Sequence, residues 1–114
     1  MNTIPLTFDG AVQKIAKALQ PERILLFGSR ARNTHHPASD YDLLLICDSG
    51  ENPLELASRA LLAARPRRFA LDVNVLTPSE FEESLDEKTD FVWHAMQDAK
   101  VIYEKANPSM GAPS

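Results

Sequence analysis

The sequence predicts a small α/β (α+β) domain, one mixed β-sheet with helices packed on one face. Two short apolar runs, ILLF at residues 24–27 and LLLI at residues 43–46, are bounded by turn-forming residues. They read as strands buried on both faces. A third β-rich run, FALDVNVL, follows at residues 69–76, and stretches with helical apolar spacing flank these strands.

Taken in order, FDGAVQKIAKALQ (residues 8–20) sets Val12, Ile15, Ala16 and Leu19 on one stripe, an amphipathic helix ended by Pro21. The strand at 24–27 comes next. Gly28-Ser29 then makes a turn in which Ser29 suits an N-cap, with Arg30-Ala31-Arg32 as a first helical turn behind it. After the strand at 43–46, residues 48–53 form a turn-rich loop. Residues 54–64 are helix formers stopped by Arg65-Pro66. Beyond the third strand, Thr77-Pro78-Ser79-Glu80 signals a helix start, with Thr77 as N-cap, Pro78 at the first position and Glu80 three residues on. A further helix is expected over residues 89–98, with Phe91, Ala95 and Met96 inward, and a short last strand at Val101-Ile102-Tyr103. The predicted order is α-β-β-α-β-α-α-β. Residues 1–105 are expected to form one domain, and residues 106–114, ANPSMGAPS, a disordered tail.

Length and composition narrow the function. With 114 residues there is room for one domain, and 44% apolar with 25% charged residues is ordinary for a globular protein. A net charge of −4 and a pI near 5.3 argue against a general nucleic-acid binder, which carries a basic face. The single Cys47 cannot form an internal disulfide and suits a reducing compartment. The N-terminus has no signal-peptide pattern and no apolar run reaches membrane-spanning length, so a cytoplasmic location without membrane contact is expected.

The chemistry concentrates between residues 23 and 46. Strand side chains alternate between faces, so Asp40 and Asp42 project on the same side, with Tyr41 opposite. Two carboxylates a strand step apart can share Mg²⁺ ions, which keep several waters and bridge to substrate phosphates. Gly28 lets a phosphate approach the backbone and permits a positive φ. Backbone N–H groups of that turn, with the Ser29 hydroxyl, make an anion site. Arg30 and Arg32 can add charge-assisted contacts to phosphate oxygens. A third carboxylate, Asp72, stands alone in an apolar strand, where it should be costly unless a metal or a charge partner satisfies it. If its strand pairs beside that of Asp42, three carboxylates converge. They could then hold two metals about 3.5–4 Å apart for an in-line displacement on a nucleoside triphosphate.

Each feature alone has an ordinary reading. A Gly-Ser pair is often only a turn, and D-x-D at a strand edge is usually solvated charge or edge protection. Asp72 alone could be an exposed residue on a one-sided strand. The joint occurrence of all three, in order and among apolar strands, favours the triad. His35 and His36 read as loop residues, and no Cys/His spacing suggests a closed zinc site. Arg65-Pro66-Arg67-Arg68 is a basic knot, either a solvated loop or a partner contact.

Phe27-Gly28-Ser29-Arg30-Ala31-Arg32, Ser39-Asp40-Tyr41-Asp42-Leu43 and Leu71-Asp72-Val73 together resemble the polymerase beta-type nucleotidyltransferase superfamily, and more narrowly its minimal nucleotidyltransferases. The resemblance spans roughly residues 8–104. It implies the fold of that superfamily, with Gly28 and Ser29 on the triphosphate, Asp40 and Asp42 on both of two Mg²⁺ ions, and Asp72 on the catalytic one. ATP is the implied substrate. The sequence departs from the usual pattern at Asn33, where a second glycine is common, and at His35-His36, where a small residue and often an arginine appear.

The chain is expected to lack a domain that could hold an acceptor. Three functions follow: transfer to a docked protein, transfer to a small molecule within a homo-oligomer, or a non-catalytic binding module. The resemblance extends to the antitoxin half of toxin–antitoxin pairs. There the partner is a HEPN-domain toxin and the acceptor a tyrosine hydroxyl that receives AMP.

Overall fold

The computed structural model describes residues 4–32, 40–86 and 96–105, apart from the side chains of Ser29 and Arg32. Its elements run α1 (Phe8–Leu19), β1 (Arg23–Phe27), α2 (Gly28–Arg32), β2 (Tyr41–Ile46), α3 (Pro53–Ala63), β3 (Leu71–Leu76), α4 (Pro78–Asp86) and β4 (Lys100–Glu104). The expected helix at 89–98 falls mostly outside the described residues, as do Phe91, Ala95 and the tail at 106–114.

The four strands form one mixed sheet in the order β3-β2-β1-β4. The two most apolar strands take the centre, because only they lose nothing by being covered on both faces. β1 runs antiparallel to β2 and to β4, whereas β3 runs parallel to β2. The polar-punctuated β3 and β4 take the edges.

Alternation splits the sheet's side chains into two clusters. Ile24, Leu26, Leu43, Leu45 and Val73 face α1 and α3, whose inward stripes are Ala11, Val12, Ile15 and Ala16, and Leu56 and Ala60. Leu25, Phe27, Leu44 and Ile46 face the other way and meet Phe81 of α4, with Met96 beside it. So α1 and α3 cover one face as expected, and α4 adds a smaller cluster on the other.

Local chemistry fixes the helix ends. Thr7 caps α1 by accepting from the Gly10 N–H at 3.0 Å, and Asn52 caps α3 through the Leu54 N–H at 2.8 Å. The box expected at α4 closes in both directions, with Glu80 N–H donating to Thr77 Oγ1 and Thr77 N–H donating to the Glu80 carboxylate. Helix α2 begins at Gly28, one residue before the expected Ser29 cap.

Candidate active site

The candidate site lies where β1 ends and β2 begins. Phe27 of β1 pairs with Asp42 of β2, and on the other side Asp42 pairs with Asp72 of β3. Neighbouring strands lie about 4.8 Å apart, and residues in register share a face. Asp42 therefore stands between the buried Phe27 ring and a second carboxylate. Asp40, one strand step earlier, is exposed.

The electrostatics agree with this placement. Asp42 is held above the ordinary carboxylate range, first by burial, then by the charges of Asp72 and Asp40. The charges of Asp40 and Asp72 thus both act on Asp42, the one of the three that is partly covered. Among the described residues, no three or more His, Cys, Asp or Glu side chains already close around one point. The oxygen-only donors of the three aspartates nonetheless suit a hard divalent cation, and a cation is what offsets repulsion among them.

Gly28 is required here for two separate reasons. Its φ of 72° lies in the left-handed region, and a Cβ built on it would stand 2.7 Å from Oδ2 of Asp42. The turn and the carboxylate are thus in contact, which the sequence spacing of fourteen residues does not reveal. Helix α2 then folds over the α1 and α3 side, where Ala31 is buried.

Two expectations need correction. Asp72 is not a costly charge in a covered strand: β3 is an edge strand and Asp72 is exposed, so water solvates it. The Arg30 guanidinium lies 4.1 Å from the centroid of the Tyr41 ring, on the face of β2 opposite Asp42. To touch a phosphate on the Asp42 side it would have to leave that ring. The Ser29 and Arg32 side chains, and Asn33, His35 and His36, lie outside what the structure describes.

The feature missed in the sequence is Tyr41. Its ring stacks on Phe8 at 4.0 Å and meets the edge of Phe69 at 5.3 Å, with Arg30 over it. This group ties α1, α2, β2 and the approach to β3 together directly behind the aspartates. An aromatic residue between two aspartates, alternating to the apolar face, was the available signal.

A left-handed glycine turn against carboxylates gathered at the ends of two parallel strands is an arrangement suited to a metal-borne phosphate ester. The family comparison agrees in class. The family described as "Polymerase beta, Nucleotidyltransferase" matches residues 11–108, and the chain belongs to that family. A candidate nucleotidyltransferase from Sulfolobus solfataricus shares the fold, with a TM-score of 0.56 and 19% identity over 84% of this chain and 76% of that one. A toxin–antitoxin structure with AMP-PNP matches at a TM-score of 0.49 and 20% identity, over 87% of this chain and 75% of that one. No curated protein matches significantly. Among the described residues, no helix is long and apolar enough to cross a membrane.

Proposed function

We propose that the protein is a Mg²⁺-dependent nucleotidyltransferase that moves AMP from ATP to a tyrosine hydroxyl of a HEPN-domain toxin, and so acts as its antitoxin. The observation that carries this reading is the register of Asp42 with Asp72 on parallel strands, beside a left-handed Gly28. Gly28 and Ser29 hold the triphosphate, with Arg32 and a repositioned Arg30 in support. Asp40 and Asp42 would hold two Mg²⁺ ions, and Asp72 would help to hold one of them. When bound, Mg²⁺ neutralises phosphate charge and makes the acceptor hydroxyl easier to deprotonate. The acceptor oxygen bonds to the α-phosphorus as the α-phosphorus–bridging-oxygen bond breaks. Pyrophosphate leaves, and the hydroxyl proton is released.

A protein acceptor suits an open site. Asp40 and Asp72 are both exposed, so a side chain presented by another molecule can reach them. Beside Phe69, a cleft of about 480 Å³ lined by Leu61, Leu62, Arg65 and Arg67 offers a cationic and apolar foothold near the start of β3. The net charge of −4 favours encounter with a basic partner. The test is to co-express the chain with a HEPN-domain protein encoded beside it and weigh that protein by mass spectrometry. Added AMP units, absent with Asp40→Asn, are expected. A partner that is silenced yet unmodified would overturn the enzymatic reading.

A further inference from the structure

The remaining charged feature lies at the opposite end of the sheet. Lys14, Lys17 and Lys105 border a groove of about 630 Å³ between α1 and β4, floored by Leu6, Ala16 and Tyr103. These are three of the five lysines in an acidic chain, and among the described residues no aspartate or glutamate lines the groove. Asp9, Glu22 and Glu104 lie close in sequence to residues of its lining. Glu104 pairs with Arg23 at 3.4 Å, and the charge of Glu22 falls on the buried Cys47 thiol, which burial and that charge both push up.

The topology separates this groove from the aspartates. Tyr103 pairs with Ile24, and the Lys105 N–H donates to the Glu22 carbonyl, both at the start of β1. Gly28 and Asp42 stand at its far end, some four residues or roughly 13 Å along the strand. An occupant of the groove therefore leaves the candidate active site open.

We propose that this groove is a second docking site, and that it takes an acidic protein segment carrying an apolar side chain. Charge complementarity sets the sign, since three exposed ammonium groups border a groove whose lining, among the described residues, includes no carboxylate. The apolar floor gives one buried anchor a place to sit, while carboxylates on either side meet the lysines. Among the described residues the lining carries no arginine, the residue whose planar fork matches phosphate oxygens two at a time. Lysines act as flexible point charges that suit carboxylates. An overall negative charge also opposes a nucleic-acid backbone along the rest of the surface. The inference is independent of the transfer reaction, and binding alone reads it out.

The probes are a fluorescein-labelled peptide of repeating Glu-Glu-Leu and a labelled oligouridylate of equal charge, each titrated into the full chain and followed by anisotropy. Saturable peptide binding that weakens with added salt is expected. Lys14→Glu combined with Lys17→Glu should lower affinity at least tenfold, because both side chains are exposed on α1 and their exchange leaves the fold intact. Lys100→Glu, an exposed lysine on β4 outside the groove, should change affinity less than twofold. Equal binding by the wild type and the double variant would overturn the proposal. So would absence of saturable binding, or tighter binding of the oligonucleotide than of the peptide.

Discussion

Replacing Gly28 by alanine separates what the fold needs from what the site needs. Alanine at a φ of 72° costs about 1–2 kcal/mol of backbone strain. Its Cβ would also sit 2.7 Å from Oδ2 of Asp42. That oxygen is the far end of a flexible side chain, so the contact is relieved by turning the carboxylate, at roughly 0.5–1.5 kcal/mol. Against this, alanine stiffens the unfolded chain and returns about 0.4–1 kcal/mol. The net loss is about 0.5–3 kcal/mol, centred near 2 kcal/mol, which at the centre is a fall in Tm of about 8–16 °C for a domain of this size. The site suffers far more. A carboxylate moved by roughly 1 Å loses on the order of a hundredfold in a reaction that depends on its placement. Gly28→Ala should therefore stay folded at 25 °C, by circular dichroism, yet transfer AMP about a hundredfold more slowly. Gly50→Ala is the control, since nothing lies within 4 Å of a Cβ there, and it should change stability by less than about 0.5 kcal/mol. Undiminished transfer by folded Gly28→Ala would refute the reasoning, because Asp42 could then be displaced without consequence.

Asp42→Asn should raise Tm at pH 7 in the absence of metal. The folded-state pKa of Asp42 is raised, so its ionisation penalises the fold above that pKa, and the penalty fades as pH falls towards the ordinary carboxylate value of 3.8. Thermal scans across pH 4–7 should therefore show the gain shrinking on the acid side. Asp40→Asn and Asp42→Asn should lose most ATP affinity by calorimetry, whereas Asp72→Asn should keep it and lose transfer; equal loss in all three would remove that asymmetry. Thr77→Ala removes the hydroxyl that accepts from the Glu80 N–H, keeps the backbone N–H that donates to the Glu80 carboxylate, and should cost about 1 kcal/mol, read as a lower Tm with ATP affinity unchanged.

The central strands were legible because they are covered on both faces, and a continuous apolar run has no other economical reading. The caps at Thr77 and Asn52 were written in local sequence, Thr77 with its box and Asn52 only as part of a turn-rich loop. Asp40 and Asp42 were legible as a pair for the same reason, since two residues on one strand have a fixed relation. The relation of Asp72 to Asp42 is different. It depends on β3 choosing β2 as its neighbour and on a register set by distant apolar contacts, and no local pattern encodes either. The solvation of Asp72 was misjudged for this reason: apolar neighbours in sequence do not say whether a strand is central or at an edge. Arg30 was assigned by charge alone, and the aromatic group around Tyr41 that holds it is assembled from four separate segments.

The division between one covered and two exposed carboxylates has a physical use. Placing Asp42 against Phe27 makes it the group that gains most when a cation arrives, because burial and repulsion both disfavour its bare charge. Had Asp40 and Asp72 been covered as well, the empty site would carry three desolvated charges, a burden a domain of this size could hardly bear. Leaving Asp72 on an edge strand keeps its charge hydrated and leaves a path for a cation and an acceptor to enter. The same charge discourages another chain from pairing with the open edge of β3. The ordinary reading of an exposed edge aspartate and the functional one are therefore compatible, and a single placement in the sheet serves both.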